Sequence, residues 1–582
     1  MKIGRLTPVC AIFFLIFHII LYAQTINQPR AMAEWEELQG IVIAWNDFSY
    51  VPGHQTPLTK AVRKAEMKTL AEITRTVLNE GLQIYILDTL NSNALVDLDS
   101  FGISSPNIEI MEFSQGNYWI DVWLRDRGPM SVYQNEVDSL HFVYWDDNTG
   151  AELLANHMNI PFINNNILNN PYTDGGNYMT DGHGRVFSDG QSLNPALLPA
   201  IQSAYQNNMG VTQLFNLPPY RVHIDYYMKL IDEETILVSD IPYSNYDPSV
   251  DWYFQDNQDI QAAIDYISNN YLSCYGRPYK FIRITNAPTI NLFSLNLTAF
   301  TRDLSYVNSL ILNNTIIIPS FDSLLFGQMA GYEQFDVNAR TIYEQVMPGY
   351  NIVSVPSMFF GQRGGTVHCI TKEIGSPEPI RITHKWLPDT VHNDGNPYDI
   401  VSRVKTRSGV QNVTLYYSID PNSGFLNTPM TAAGSDSFVA EIPLQPAGTT
   451  MYYYFAAQSH SGKSITKPIV GSQGPYSFNI LSDPTSIDEN LAKLPPSVIL
   501  HQNYPNPFNP VTSISWRLTT PGPVKLTIYN LTGQEVAILV DEEQAAGAHS
   551  IQVDASGLAS GIYLYRLQTG YEDKIRKMTL MK

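Results

Sequence analysis

Cys369 closes the run Gly364-Gly365-Thr366-Val367-His368-Cys369, where a glycine-rich approach leaves a thiol open to a substrate. Three further segments combine carboxylates or imidazole with turn residues: Trp123-Leu124-Arg125-Asp126-Arg127-Gly128-Pro129, Asp174-Gly175-Gly176-Asn177 and His223-Ile224-Asp225. Singly, each has an ordinary explanation: Gly-Gly marks a turn, Asp near Gly-Pro caps one, and His-x-Asp forms a hydrogen-bonded pair. Together they supply the parts needed to attack a guanidinium group. That group keeps its charge at any physiological pH. Its planar N–H fork needs carboxylates that grip it and present the central carbon. Asp126 and Asp225 are the candidates for the grip, and Cys369 for the thiolate nucleophile. His223 is the candidate for protonating the departing amine and then activating water.

Three other readings stay open on the residues alone. A metal could be held by His223, Asp225, His368 and Cys369, although adjacent ligands strain a tetrahedron. Cys274 and Cys369 could pair, as cysteines of exported proteins do. The chain could also be a non-catalytic surface adhesin.

The elements that must position these residues alternate between strand and helix from about Glu34 to Ile374. Apolar β runs fall at Gly40–Trp45, Leu82–Leu87, Ile108–Phe113, Phe142–Trp145, Thr235–Ser239, Ile282–Thr285, Thr315–Pro319 and Ile352–Val355. Helical patterns fall at Leu58–Asn79, Ala196–Asn207, Ile260–Asn270 and Val337–Val346. This alternation predicts an α/β domain over residues 24–380. From 381 to 481 only β signals occur, spaced as in a small immunoglobulin-like sandwich. A polar linker is expected over 482–497.

A second all-β unit, 498–582, opens with Tyr504-Pro505-Asn506-Pro507-Phe508-Asn509-Pro510, whose prolines forbid helix. This opening, the strand Ser560-Gly561-Ile562-Tyr563-Leu564-Tyr565-Arg566-Leu567 and the basic tail resemble the C-terminal sorting domain of type IX secretion substrates. At the other end, Lys2 and Arg5 precede an apolar run from Val9 to Leu21 and the small residue Ala23. That pattern predicts a signal peptide over 1–23, with a run too short for a comfortable membrane anchor. Both ends therefore imply export, to the medium or the cell surface. The formal net charge of −20, without a long basic run, argues against a nucleic-acid partner.

The ordered set Trp123–Pro129, Asp174–Asn177, His223–Asp225 followed by Lys229, Tyr306-Val307-Asn308-Ser309 and Gly364–Ile374 resembles the agmatine deiminase and bacterial peptidylarginine deiminase family. Met32-Ala33-Glu34-Trp35-Glu36 resembles that family's N-terminal segment. The resemblance implies a five-bladed pseudo-symmetric α/β propeller, the pentein fold, with a central site. It implies that Asp126 and Asp225 bind guanidinium, His223 is the general acid/base, Cys369 is the nucleophile and Asn308 belongs to the site. Trp123, Arg125, Asp174, Gly365 and His368 are the expected substrate-binding positions. Asp174 stands where agmatine deiminases usually carry Glu. No cofactor and no metal is called for.

The expected substrate is an arginine-containing protein or peptide, converted to citrulline and ammonia. The alternative is agmatine, converted to N-carbamoylputrescine. Between Gly128 and Gly184 there is no Lys or Arg, while Glu136, Asp138, Asp146, Asp147, Glu152, Asp174 and Asp181 are present. A free substrate carboxylate would meet like charge there. Arg302 or Arg363 would have to receive it instead.

Overall fold

The computed structural model describes residues 29–45, 57–88, 93–112, 123–144, 150–164, 175–189, 196–219, 223–241, 252–288, 304–324, 327–328, 331–361, 364–393 and 395–481, together with 498–500, 503, 508, 510–518, 521–530, 534–545, 547–569 and 573–580. The expected signal peptide and linker lie outside the described residues, as do Asp146, Asp147, Asp174, Arg302 and Arg363. The chain divides into two compact units, Met1–Leu481 and Ser482–Lys582.

Between residues 30 and 375 one three-strand arrangement recurs in five sheets. A short first strand pairs antiparallel with a second, and a helix then carries the chain to a third strand parallel to the second. The first sheet uses Met130–Tyr133, Leu140–Tyr144 and Phe162–Asn164. The next uses Met179–Thr180, Arg185–Asp189 and Gln213–Leu217. A third uses Met228–Leu230, Thr235–Asp240 and Lys280–Thr285. The fourth uses Leu310–Leu312, Thr315–Ser320 and Asn351–Pro356. The fifth joins the two ends of the region: Thr371–Gly375 pairs antiparallel with Leu38–Trp45, which runs parallel to Gln83–Asp88. The crossover helices are Gly150–Met158, Leu198–Met209, Trp252–Asn270, Glu333–Val346 and Pro57–Asn79. A parallel pair needs such a crossover because a tight hairpin cannot return the chain in the same direction.

Burial follows from this arrangement. Thr315–Ser320 and Thr371–Gly375 are buried at every position, as expected of strands covered on both faces. In the helix Pro57–Asn79, Met67, Leu70, Ala71, Thr74 and Val77 are buried at helical spacing. The sheets described are separate and open.

Residues 381–481 form two antiparallel-rich sheets. One orders Arg381–Thr383, Tyr398–Lys405, Ser437–Ile442 and Thr431–Gly434; the other is built around Thr450–Ser459 and Val410–Ser418. Burial alternates along Thr450–Ser459, the mark of a strand with one covered face. Ile382, Ile400, Leu415, Phe455 and Phe478 share one apolar core. Glu136 ties this region to the preceding one. Its carboxylate receives Arg381 at 2.5 Å and Arg403 at 2.9 and 3.0 Å, with Lys405 at 3.6 Å. That corrects part of the charge reading: Glu136 belongs to a structural ion network rather than to a free acidic surface.

The second unit has its own core around Phe508, Ile514, Trp516, Leu526, Tyr565 and Met578. Its two sheets order Val498–Leu500, Val511–Leu518 and Gly547–Asp554, and Glu535–Gln544, Gly522–Asn530, Gly561–Thr569 and Asp573–Leu580. No helix among the described residues is long and apolar enough to cross a membrane.

Candidate active site

Every chemistry-bearing segment sits just before the short first strand of one of the five sheets. Asp126 precedes Met130–Tyr133, Gly175–Asn177 precedes Met179–Thr180, and His223 and Asp225 precede Met228–Leu230. Asn308 precedes Leu310–Leu312, and Cys369 precedes Thr371–Gly375. The repeat thus presents five corresponding loop positions, and hydrogen bonds join Asp225, Asn308 and Cys369 from three of them.

Cys369 is 6% exposed. Its Sγ lies 3.1 Å from Asn308 Nδ2, which donates to it, and 3.4 Å from Asp225 Oδ2, which accepts from the thiol. Asn308 Nδ2 also donates to Asp225 O and Oδ2, while Asn308 Oδ1 accepts from the Thr366 backbone N–H and hydroxyl. Asn308 is therefore fixed from both ends of its amide. Burial pushes the Cys369 thiol well above its ordinary pKa, and the nearby charges of Asp225 and Asp126 add to the rise. Without a cation beside it, Cys369 is a neutral thiol at pH 7. Cys274 is also a free thiol, so the pairing of Cys274 with Cys369 considered above does not occur.

Asp126 Oδ1 lies 3.3 Å from His223 Nδ1. Gly176 separates the groups only because it has no side chain: a Cβ there would stand 2.4 Å from Asp126 Oδ1 and 2.6 Å from His223 Nδ1. Gly365 plays the same part at the thiol, where a Cβ would come within 2.4 Å of the Trp123 ring and 2.9 Å of Cys369 Sγ. The glycines singled out in the sequence thus allow close approach rather than simple turning. Asp126 Oδ1 and Asp225 Oδ1 are both buried and accept no hydrogen bond. Unpaired buried carboxylate oxygens are costly unless a donor meets them.

Arg125 and His368, expected among the substrate-binding positions, both make buried contacts within the protein. Arg125 meets both oxygens of Glu373, at 2.7 and 2.5 Å, and its Nε donates to His368 O at 3.2 Å. His368 Nδ1 lies 2.8 Å from Asp225 Oδ2 and Nε2 lies 2.7 Å from Glu34 Oε1. The guanidinium of Arg125 and both ring nitrogens of His368 thus have partners within the protein. Trp123 and Gly365 do flank the thiol; Asp174 lies outside the described residues.

Sequence reasoning missed Glu34, Glu373 and Lys372. Glu34 also pairs with Lys229. Burial alone would raise the pKa of Glu34, but His368, Lys229 and Arg125 hold it well below the carboxylate range. Burial likewise opposes the charge of Asp225, and His368, His223 and Arg125 outweigh it, so its pKa is lowered. Lys372 is 2% exposed, with Nζ 2.8 Å from Met130 Sδ. Burial and the charge of Arg125 lower its pKa to about 7. Glu34, His368 and Glu373 offer ligand atoms within 4.8 Å of one another. Lys229 and Arg125 already neutralise that group, which makes it a poor host for a metal ion. A separate cavity of about 290 Å³, bordered by Trp35, Glu233, Arg381, Trp386 and Tyr476, contains none of the candidate residues.

Two unpaired carboxylate oxygens, a thiol and an imidazole can together receive a planar cation with several N–H donors. The carboxylates can hold it, its charge can favour ionisation of the thiol, and the imidazole can carry protons.

Comparison with known proteins places these residues in a larger group. The sequence pattern of the Porphyromonas-type peptidyl-arginine deiminases matches residues 30–375, and that of the secretion system C-terminal sorting domain matches residues 502–581. An agmatine deiminase of Pseudomonas fluorescens is 23% identical over 328 residues, covering 47% of this chain and 79% of its own. An agmatine deiminase of Pseudomonas putida is 24% identical over 317 residues, covering 48% and 79%. The solved agmatine deiminase of Enterococcus faecalis aligns with a TM-score of 0.44 and 18% identity, over 60% of this chain and 96% of its own.

Proposed function

From a chain that belongs to the Porphyromonas-type peptidyl-arginine deiminase family, a group of guanidino-group hydrolases, we propose an exported enzyme that converts peptidyl arginine to citrulline and ammonia through Cys369. The observation that carries the reading is the pair of buried oxygens that accept no hydrogen bond, Asp126 Oδ1, which faces His223 Nδ1 at 3.3 Å, and Asp225 Oδ1, near a buried thiol. A guanidinium supplies the N–H donors these oxygens lack.

The steps follow from the charges. The bound cation offsets the negative field of Asp126 and Asp225, so the thiol proton can leave as sulfur attacks the guanidinium carbon. His223 relays that proton to one amino nitrogen of the tetrahedral adduct. The C–N bond breaks, ammonia departs, and a cationic amidino thioether remains on Cys369. His223 then takes a proton from water, whose oxygen attacks the same carbon. The C–S bond breaks, the adduct's hydroxyl proton passes to sulfur so that the neutral thiol returns, His223 releases its proton to solvent, and the ureido product leaves. Asn308 holds sulfur and Asp225 in register. The recurring three-strand unit supports a five-bladed propeller around this site, and residues 381–481 suit an immunoglobulin-like module.

Export supports a protein substrate. The sorting domain at 502–581 is a signal for passage across an outer membrane, with type IX machinery as the partner, and 1–23 would start that route. A second reading, agmatine, is favoured by the absence of Lys and Arg between Gly128 and Gly184 and by the agmatine deiminases among the relatives. Ammonia release from agmatine, free arginine, and peptides with internal or C-terminal arginine separates the two. Peptidyl arginine should exceed agmatine in kcat/KM; the reverse order makes agmatine the substrate, and no release from any guanidine removes the enzyme reading.

A further inference from the structure

We propose that Glu34 is a positioning residue: through a doubly protonated His368 it fixes which oxygen of Asp225 is left to meet the substrate. The inference rests on the reading of Asp225 as a guanidinium acceptor.

Asp225 uses its two oxygens very differently. Oδ2 meets His368 Nδ1 at 2.8 Å, Asn308 Nδ2 at 3.2 Å and Cys369 Sγ at 3.4 Å, while Oδ1 is buried and meets no donor. The two oxygens are chemically equal, so a rotation of the carboxylate would exchange them. The ring of His368 makes the shortest of these contacts and resists that exchange. It is held in turn by Glu34 Oε1 at 2.7 Å from Nε2, and Glu34 is anchored on Lys229. The chain Lys229, Glu34, His368, Asp225 thus ends on the thiol.

The proton count of the ring follows from its partners. Both ring nitrogens face carboxylate oxygens, and carboxylates accept hydrogen bonds but do not donate them. A neutral imidazole has one N–H and would turn its lone pair against the other carboxylate. Only the doubly protonated ring satisfies both. The surroundings agree with a charged ring. Glu34, Asp225 and Glu373 bring three negative charges to it, and Arg125 and Lys229 bring two positive ones. Lys372 is held towards neutrality by burial, and Cys369 is a neutral thiol before substrate arrives. Asp126 and His223 face the same cluster and pair with each other, so a cation on His368 offsets the remaining excess of carboxylate charge. Glu34 lies 334 positions from His368 in the chain and touches none of the reacting atoms, so it acts through the ring.

The test reads the ring directly. The full-length protein is labelled with 15N-histidine, and the ring nitrogens are recorded by NMR between about pH 6 and about pH 8.5, a span that starts near the ordinary imidazole pKa and runs well above it. The His368 signal is identified by its loss in His368→Gln. The wild type should show both nitrogens protonated at pH 7.5, where an ordinary histidine is mostly neutral. Glu34→Gln should show a single-proton tautomer there, with kcat/KM on an arginine peptide reduced about 100-fold, the scale of a small misplacement of a binding group. That loss should fall chiefly on KM. Glu34→Asp, which keeps the charge, should retain the doubly protonated signature. A neutral His368 in the wild type overturns the proposal, and so does an unchanged signature in Glu34→Gln. The expected spectra in a wild type that hydrolyses no guanidine would leave the ring assignment standing and remove the functional reading beneath it.

Discussion

Replacing Gly176 with alanine puts a methyl group into the space between Asp126 and His223. The added carbon would lie 2.4 Å from Asp126 Oδ1 and 2.6 Å from His223 Nδ1, where ordinary contact begins at 3.4 Å. Both groups must therefore retreat, Asp126 by about 1 Å and the ring by slightly less. Neither clash involves backbone, and both side chains are partly exposed, so the fold should absorb the change. Catalysis should not. A displacement of about 1 Å in a positioned group costs roughly 100-fold, equivalent to about 2.7 kcal/mol in the barrier. We expect Gly176→Ala to melt within a few degrees of the wild type and to release ammonia from an amidated arginine peptide about 100 times more slowly. Gly175→Ala is the contrasting control. Its Cβ would meet the backbone oxygen of Arg125 at 2.0 Å, so it should lower the melting temperature as well. Wild-type kcat/KM in a correctly folded Gly176→Ala would refute the placement of Asp126 and His223 in the reacting geometry.

Cys369→Ser should abolish turnover, since a hydroxyl is far harder to ionise than a thiol, while Cys274→Ser should leave the rate almost unchanged. Glu136→Gln should destabilise the first unit by about 1–2 kcal/mol, discounted for partial exposure, as read from urea unfolding. Burial opposes the charge of Glu136, but the Arg403 hydrogen bonds and the charges of Arg381, Arg403 and Lys405 bring its pKa from 4.5 to about 2. Because the folded value is depressed, the stabilisation is fully present above about pH 4.5 and disappears as pH falls towards 2. A Glu136→Gln protein that matches wild-type stability at pH 6 would refute the network's role. Deletion of residues 482–582 should leave ammonia release intact but stop export, because that unit has its own core. An exported truncated chain would refute the sorting role. Exhaustive chelation should leave activity unchanged, and recovery by added zinc after a loss would count against a metal-free reaction.

Much of the fold was legible because its helices and long strands carry strong periodicity. Leu58–Asn79 was expected and Pro57–Asn79 is found, and Thr315–Pro319 is extended only by Ser320. The start of the helix Trp252–Asn270 was placed at Ile260, since residues 252–259 mix aromatic and polar side chains without a clear helical apolar spacing. The fivefold recurrence was not visible. Its diagnostic first strands run to two or three residues in Met179–Thr180, Met228–Leu230 and Leu310–Leu312, too short for a period to register.

At the site, Asp126, His223, Asp225 and Cys369 stood out because each lies in a short motif of unusual composition, whereas Asn308 was proposed only from the family resemblance; Asn308 and Asp225 meet Cys369, and Asp126 meets His223. Glu34 and Glu373 were quoted within segments resembling the family, but no role was given to either. Their partners lie 334 and 248 positions away, and no local pattern encodes such a pairing. Arg125 and His368 were given to the substrate because a charged residue beside a catalytic one has no visible partner in sequence. Folding supplies those partners. Glu136 was counted with the acidic stretch after Gly128 for the same reason, since Arg381 and Arg403 reach it from more than 240 positions away in the chain.

The central claim is that Cys369 forms a bond to the guanidinium carbon. Rapid acid quenching of wild type and His223→Ala during turnover of an amidated arginine peptide, followed by peptide mass spectrometry, tests it directly. An amidino adduct should appear on the peptide containing Cys369, accumulate further in His223→Ala where loss of the base slows hydrolysis, and be absent from Cys369→Ser. Turnover with no adduct at Cys369 in either protein, or an adduct located on Cys274, would contradict it.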